Sequence, residues 1–282
     1  MDAIGKALWY IESHSASPVT LDEVAKVSGL SRFHFSRTFT VLVGRSPTAY
    51  LRGRRLTEAA RNLADGAPDI LSVALDAGYG SHEAFTRAFR DQFGTTPEDV
   101  RARRSTATLK LVEPPLVNTA PAATIAEPQI REAGPLLIAG MRQRFTPETR
   151  GAIPALWQRL VSHIGSIPNE KPGATYGVAL CDVEEGGDGF DYMAGIGVTS
   201  LDELPENLAG VRLPKRKYAV FQHEGHVSMV GASCAAIFGS WLPRSGKQLA
   251  QGSLQLIERY DMSKFNPQTG LGGFEIWVPL QG

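Results

Sequence analysis

Residues 21–56, LDEVAKVSGLSRFHFSRTFTVLVGRSPTAYLRGRRL, return in altered form as residues 70–101, ILSVALDAGYGSHEAFTRAFRDQFGTTPEDVR. Leu21, Val24, Ala25 and Gly29 recur 49 positions later as Ile70, Val73, Ala74 and Gly78. After one inserted residue, Ser31, Phe35, Arg37, Phe39, Gly44 and Pro47 recur 50 positions later as Ser81, Phe85, Arg87, Phe89, Gly94 and Pro97. So many matches in register identify an internal repeat. Each copy reads as helix, tight turn, helix. Thr20 with Glu23 forms a capping-box pattern, and Gly29 stands where a left-handed residue ends a helix. Ser31 and Ser81 cap the second helices, which stop at Gly44 and Gly94 ahead of Pro47 and Pro97. A longer helix from Pro47 to Asp65 joins the copies.

The second helix of each copy has two faces. Phe35, Phe39 and Leu42 share helical spacing and are expected in the core, as are Phe85, Ala88, Phe89 and Phe93. Phe33, Ser36, Arg37 and Thr40 are expected outside, as are His82, Glu83, Thr86, Arg87 and Arg90. Guanidiniums and short polar groups on one exposed face suit the edges of bases in a major groove. One such helix is no more than a packing motif. Two, with matching caps and turns, point to double-stranded DNA.

The wider composition agrees without deciding the matter. At 282 residues, 43% apolar and 21% charged, the chain is long enough for two globular domains. Its formal charge is zero, but arginines cluster early, at Arg52, Arg54 and Arg55, at Arg87 and Arg90, and at Arg101, Arg103 and Arg104. Two isolated cysteines, no export-signal pattern in MDAIGKALWYIESH and no apolar run approaching a membrane span lead us to expect a cytoplasmic protein with no membrane partner.

Residues 1–105 resemble the DNA-binding domain of the AraC/XylS family. The resemblance implies that the third and sixth helices enter successive major-groove segments. Carried over by position, the base-facing residues are Arg32, Phe33, Ser36 and Arg37, then His82, Glu83, Thr86 and Arg87. Ser31 and Ser81 stand beside them. Arg54 and Arg55, on the joining helix, read as phosphate contacts.

Residues 106–127, rich in proline, alanine and threonine, read as an extended linker. Beyond it, residues 128–282 again repeat, in a strand–helix–strand–strand order. LLIAGMRQRF, AIPALWQRLVSHI, TYGVALCDV and FDYMAGIGVT form one copy; KYAVFQHEG, VSMVGASCAAIFGSWL, SLQLIERYD and GFEIWVPL form the other. GGDG after Glu185 and GLGG after Thr269 read as hairpin turns. The fold class is multidomain: an all-α double helix-turn-helix domain followed by an α+β domain with an antiparallel sheet and two helices.

In the strand Leu254–Asp261, alternation places Leu254, Leu256, Glu258 and Tyr260 on one face. A carboxylate among apolar groups is costly without a partner, and burial raises its pKa. A cationic ligand is one such partner; a cross-strand Arg or Lys is another. Trp157, Tyr176, Tyr192, Phe221 and Trp241 would suit a flat apolar ligand if they converge. Each alone reads equally well as core. His223-Glu224-Gly225-His226 has the wrong spacing for a helical zinc motif, so neither metal nor cofactor is expected.

RKYAVFQHEGH, GSWLPRSG, LQLIERYD and FEIWVPL resemble the GyrI-like effector-binding domain, and AraC-type chains that carry it form a Rob-like subgroup. This resemblance implies a transcription regulator with a hydrophobic, cationic effector held by Glu258. RNA polymerase is a further expected partner. The alternatives are a GyrI-like hydrolase of electrophilic compounds with a DNA-binding domain attached, and an architectural DNA binder.

Overall fold

The computed structural model describes residues 3–15, 19–115, 125–146, 148–180 and 189–282. The chain divides into two compact units, Lys6–Val117 and Asn118–Gly282, Met1–Gly5 grouping with the second.

The first unit is helical: α1 (Ala3–Ser13), α2 (Leu21–Ser28), α3 (Arg32–Val43), α4 (Pro47–Ala64), α5 (Ile70–Asp76), α6 (His82–Phe93) and α7 (Pro97–Arg103). The caps fall where the sequence puts them. Thr20 Oγ1 accepts from Glu23 N while Glu23 Oε2 accepts from Thr20 N, and Ser31 and Ser81 accept from the third helical residue beyond them. Gly29, Gly44, Gly78 and Gly94 all have positive φ, at 72°, 74°, 83° and 70°. The repeated phenylalanines repeat their packing. Phe35 and Phe39 lie 5.4 Å apart with Tyr50 beyond, and Phe85 and Phe89 lie 5.5 Å apart with Phe93 beyond.

Two expectations change here. Leu42 is 44% exposed, because it sits on the last turn of α3, past the point where Phe39 fills the core. The first unit also runs about ten residues beyond the expected boundary. Leu109 and Leu111 pack on the core of the second copy, and Val112 is buried. The Val112 N–H donates to Thr57 Oγ1 at 2.9 Å and its carbonyl accepts from Arg54 at 2.7 Å. The stretch TLKLV has apolar groups to bury, so it straps α4 instead of trailing as linker. Of the rest of the expected linker, residues 116–124 lie outside the described residues, and Ile125 packs in the second unit.

The second unit is one antiparallel sheet with helices on one face. Its strands are β1 (Gln129–Ala133), β2 (Leu136–Phe145), β3 (Glu170–Leu180), β4 (Phe190–Val198), β5 (Ala209–Leu213), β6 (Arg216–His223), β7 (Leu254–Asp261) and β8 (Phe274–Pro279). Their order is β1-β6-β8-β7-β3-β4-β2-β5. The two copies thus meet at β7 and β3. The sequence reading omitted β1 and β5, which exchange sides: β1 precedes β2 but pairs with β6, and β5 precedes β6 but pairs with β2. Both are short strands with half-exposed patterns, so neither announces itself. The GGDG turn falls mostly outside the described residues.

The helix α8 (Ile153–Val161) and the helical stretch from α9 (Val230–Ala236) through a π-helical turn (Ile237–Trp241) to α10 (Leu242–Ser245) complete this unit. Leu156 and Leu160 of α8 and Ile237 and Trp241 of the second stretch pack on the sheet face that carries Ala194, Ile276 and Phe221. On the other face the sheet curls, so that Ile138 of β2 and Tyr218 of β6 share one apolar cluster despite standing near opposite ends of the order.

Candidate DNA-reading helices and effector site

α3 and α6 present the outward faces expected of them. Phe33 is 77% exposed and Arg37 is exposed, with half-buried Ser36 between them. Arg32 lies 3.5 Å from Asp22 in an exposed ion pair. On α6, His82, Glu83, Thr86, Arg87, Arg90 and Asp91 line one shallow groove. His82 Nε2 lies 3.1 Å from Glu98 Oε1, which steadies the imidazole at the start of the helix. Glu83 is held below the ordinary carboxylate range by its own backbone N–H and by the Ser81 hydroxyl, so it stays an ionised acceptor. Thr86 Oγ1 is buried with no hydrogen-bond partner among the described residues, beside Arg87 on the same face.

Arg54 departs from its expected role. It is 0% exposed and cannot reach a phosphate. Its guanidinium donates to Glu12 Oε1 at 2.9 Å, to Glu12 Oε2 at 2.8 Å, to Glu58 at 2.9 Å and to the Val112 carbonyl at 2.7 Å. Tyr50 donates to the same Glu12 at 2.8 Å. α4 therefore turns Arg54 inward to join α1 to the strap. Arg55 is half-buried and donates to the Ser15 carbonyl at 2.8 Å, tying α4 to the end of α1. Arg52, which the reading passed over for phosphate contact, is the exposed arginine of this cluster.

In the second unit the sheet brings Glu258 to the middle of the helix-covered face. Glu258 stands opposite Gly177 of β3 and Ile276 of β8, and Ile276 stands opposite Phe221 of β6. The carboxylate is 7% exposed. Tyr192 and Tyr260 both donate their hydroxyls to its Oε2, Tyr260 at 2.8 Å. Trp157 Nε1 donates to Tyr192 Oη at 3.2 Å, and its ring meets Tyr260 edge-on at 5.3 Å. Among the described residues Tyr192 and Tyr260 are the side chains that bond this acid, and no Arg or Lys pairs with it. Burial pushes its pKa up, against the pull of the two phenols. Both phenols are pushed well above their usual value by burial and by the neighbouring carboxylate. Cys234 of α9, half-buried nearby, has its thiol pushed up to about 12 by desolvation and holds its proton.

Of the expected aromatic lining, Trp157, Tyr192 and Tyr260 touch this cluster directly. Phe221 and Trp241 extend it, 4.9 Å apart and edge-on. Tyr176 does not join them: it precedes Gly177 on β3, so its ring falls on the opposite face with Leu136. Leu254 also leaves the expected face. A bulge sets Leu180 against Leu254 but Ala179 against Leu256, so Gln255 is extra and Leu254 turns to the other side.

The residue that the sequence reading missed is Gly177. A Cβ there would lie 2.0 Å from Tyr192 Oη and 2.6 Å from Glu258 Oε2, so the acid and its phenol meet in the space that glycine leaves. His223, the first of the two histidines, has Nδ1 against Ser233 Oγ at 2.9 Å and Nε2 against the His226 carbonyl at 3.3 Å. Among the described residues no helix is long and apolar enough to cross a membrane.

Two family models match. One, described as a GyrI-like small molecule binding domain, covers residues 126–281; the other, a helix-turn-helix domain, covers residues 24–103. The chain is 28% identical over 260 residues to the transcriptional regulator Rob of Salmonella typhimurium, spanning 90% of this chain and 88% of that protein. It is 39% identical over 94 residues to the regulatory protein SoxS of Escherichia coli, 33% of this chain and 88% of that one. It is 41% identical over 90 residues to the right origin-binding protein of Escherichia coli, 32% of this chain and 31% of that one. The higher identities belong to alignments that take in about a third of the chain.

Proposed function

We propose, from the premise that this chain belongs to the GyrI-like small-molecule-binding family and is an AraC-type DNA-binding transcription regulator, a role for each of its two sites. The exposed faces of α3 and α6 read base edges in two major-groove segments about one helical turn, roughly 34 Å, apart. Glu258 and its rings take an aromatic or amphipathic cation. The observation that carries the second role is a buried carboxylate that, among the described residues, two phenols and no cation accompany. Such a group is a standing cost unless a positive ligand completes it. RNA polymerase is the further partner we propose, and the cytoplasm the place of action. We assign no catalytic step, since the relatives that support this reading are transcription regulators.

For the DNA role, Arg37→Ala and Arg87→Ala are each expected to cost roughly 1–3 kcal/mol on the operator and to relax preference at a few base pairs. Arg52→Ala is expected to weaken operator and random duplex alike and to flatten the salt dependence. Equal losses on both DNAs for Arg37→Ala would remove α3 from base recognition.

For the effector role, the test is titration of the full chain with tetraphenylphosphonium and with neutral triphenylphosphine oxide. Glu258→Gln keeps the shape and an acceptor for both phenols but removes the charge. It is expected to weaken the cation and spare the neutral compound. Because burial raises the folded-state pKa, Glu258 favours folding below the ordinary carboxylate range and loses that favour as pH rises through its raised value. The ligand-free variant is therefore expected to gain stability over wild type as pH climbs from the ordinary carboxylate range through the raised value, measured by thermal unfolding. The cation reverses the shift: its binding releases protons, and its affinity rises with pH across the same window. A wild-type protein that binds both compounds equally at every pH would take Glu258 out of the site.

A further inference from the structure

Ile125 and Glu127 lie just ahead of β1, and the wall of the effector site holds both. Ile125 packs against the apolar cluster that includes Phe221, Ile237, Trp241 and Tyr260. Glu127 Oε2 accepts from the indole Nε1 of Trp241 at 3.2 Å. Trp241 meets Phe221 edge-on, and Phe221 lies in the same cross-strand row as Glu258, with Ile276 between them. Trp241 is also the last residue of the π-helical turn Ile237–Trp241, which lies between two α-helical pieces. A π turn carries one residue too many for an α-helix, and such defects are found mostly where a helix has a job besides packing.

We infer that the Trp241 indole is a latch: an aromatic ligand entering beside Glu258 displaces it, breaks its bond to Glu127 and frees the segment that leads into β1. This rests on the reading of Glu258 as the ligand site. Protein interiors are close-packed, so a bound ring needs the volume of a ring already there. Tyr192 and Tyr260 are fixed at both ends, by central strands and by the Glu258 carboxylate. Trp157 is fixed through its Nε1 to Tyr192. Trp241 alone among these rings bonds outward, to an exposed acid, and it rides on the turn with the register defect. It is the ring that yields at least cost. The other end of the connecting segment is fixed on α4 by Thr57, Arg54 and Arg61. The freedom gained therefore lies on the β1 side, at Ile125 and Glu127.

The test uses the full chain with 15N-labelled tryptophan, whose four indole N–H signals resolve Trp241 by its loss in Trp241→Phe. Saturating tetraphenylphosphonium is expected to speed exchange of the Trp241 N–H with water about tenfold, the order expected for losing one hydrogen bond. Glu127→Ala is expected to show that faster rate with no probe. It is also expected to bind the probe more tightly than wild type, because the cost of opening the latch is already met. Glu127 is exposed, so this variant keeps its fold. Unchanged Trp241 exchange in the probe-bound wild type, or no gain in affinity for Glu127→Ala, overturns the latch while leaving the ligand site in place. A wild-type chain that binds no probe at all overturns the ligand site and the latch with it.

Discussion

Arg54→Ala is expected to destabilise the first unit by about 3–5 kcal/mol, the cost of removing one partner from a buried ion pair. The substitution leaves the Glu12 carboxylate, 1% exposed, without its guanidinium and with the Tyr50 hydroxyl still donating to it. It also orphans the Val112 carbonyl and loosens the strap that carries Leu109 and Leu111 onto the core. Urea unfolding of the full chain, followed through the 19F signal of 5-fluorotryptophan at position 9, reports on this unit, since Trp9 is the tryptophan within Lys6–Val117. Replacing both charges, as in Glu12→Leu with Arg54→Met, is expected to recover most of the loss, because an apolar pair of similar volume owes no desolvation penalty. A phosphate clamp predicts the opposite pattern: weaker DNA binding with stability untouched. A loss under 1 kcal/mol for Arg54→Ala would restore that reading.

What could be read in advance was what short-range chemistry dictates. Thr20 with Glu23, Ser31 with the N–H of His34, and Gly29 at φ 72° are each settled within a few residues, and each stands where the local pattern puts it. Arg54 shows where that legibility ends. Its neighbours Arg52 and Arg55 sit on the same helix in the same sequence context, yet Arg54 is the fully buried one, paired with Glu12 42 positions away. The second unit divides in the same way. Alternation correctly grouped Leu256, Glu258 and Tyr260, but one bulge removed Leu254 and strand parity removed Tyr176. Neither loss has a local signal, because a bulge is set by how two strands pair and not by either strand alone. The exchange of β1 and β5 between halves is also a long-range pairing. No propensity in QIREA or AGVRL encodes it.

The same logic makes Gly177 the sharpest test of the effector site. In an ordinary strand, glycine to alanine gains stability, since glycine loses more conformational freedom on folding. Here the sign is expected to reverse, with a cost of about 1–3 kcal/mol, because the added methyl overpacks the core. Its Cβ would meet Tyr192 Oη at 2.0 Å and Tyr192 Cζ at 2.7 Å, so the whole phenol must move. Moving it breaks the bond to Glu258 and the bond from Trp157, leaving the acid to Tyr260 alone. Binding of tetraphenylphosphonium is expected to fall together with stability. Tyr192→Phe in the Gly177→Ala background removes the closest clash, so part of the stability is expected to return. Probe affinity is not, since the phenol that positions the carboxylate is gone. Thermal unfolding and probe titration on wild type and the two variants separate these effects. Gly177→Ala as stable as wild type, with probe affinity intact, would mean that the acid and its phenols shift freely, and that their arrangement does not define what the site binds.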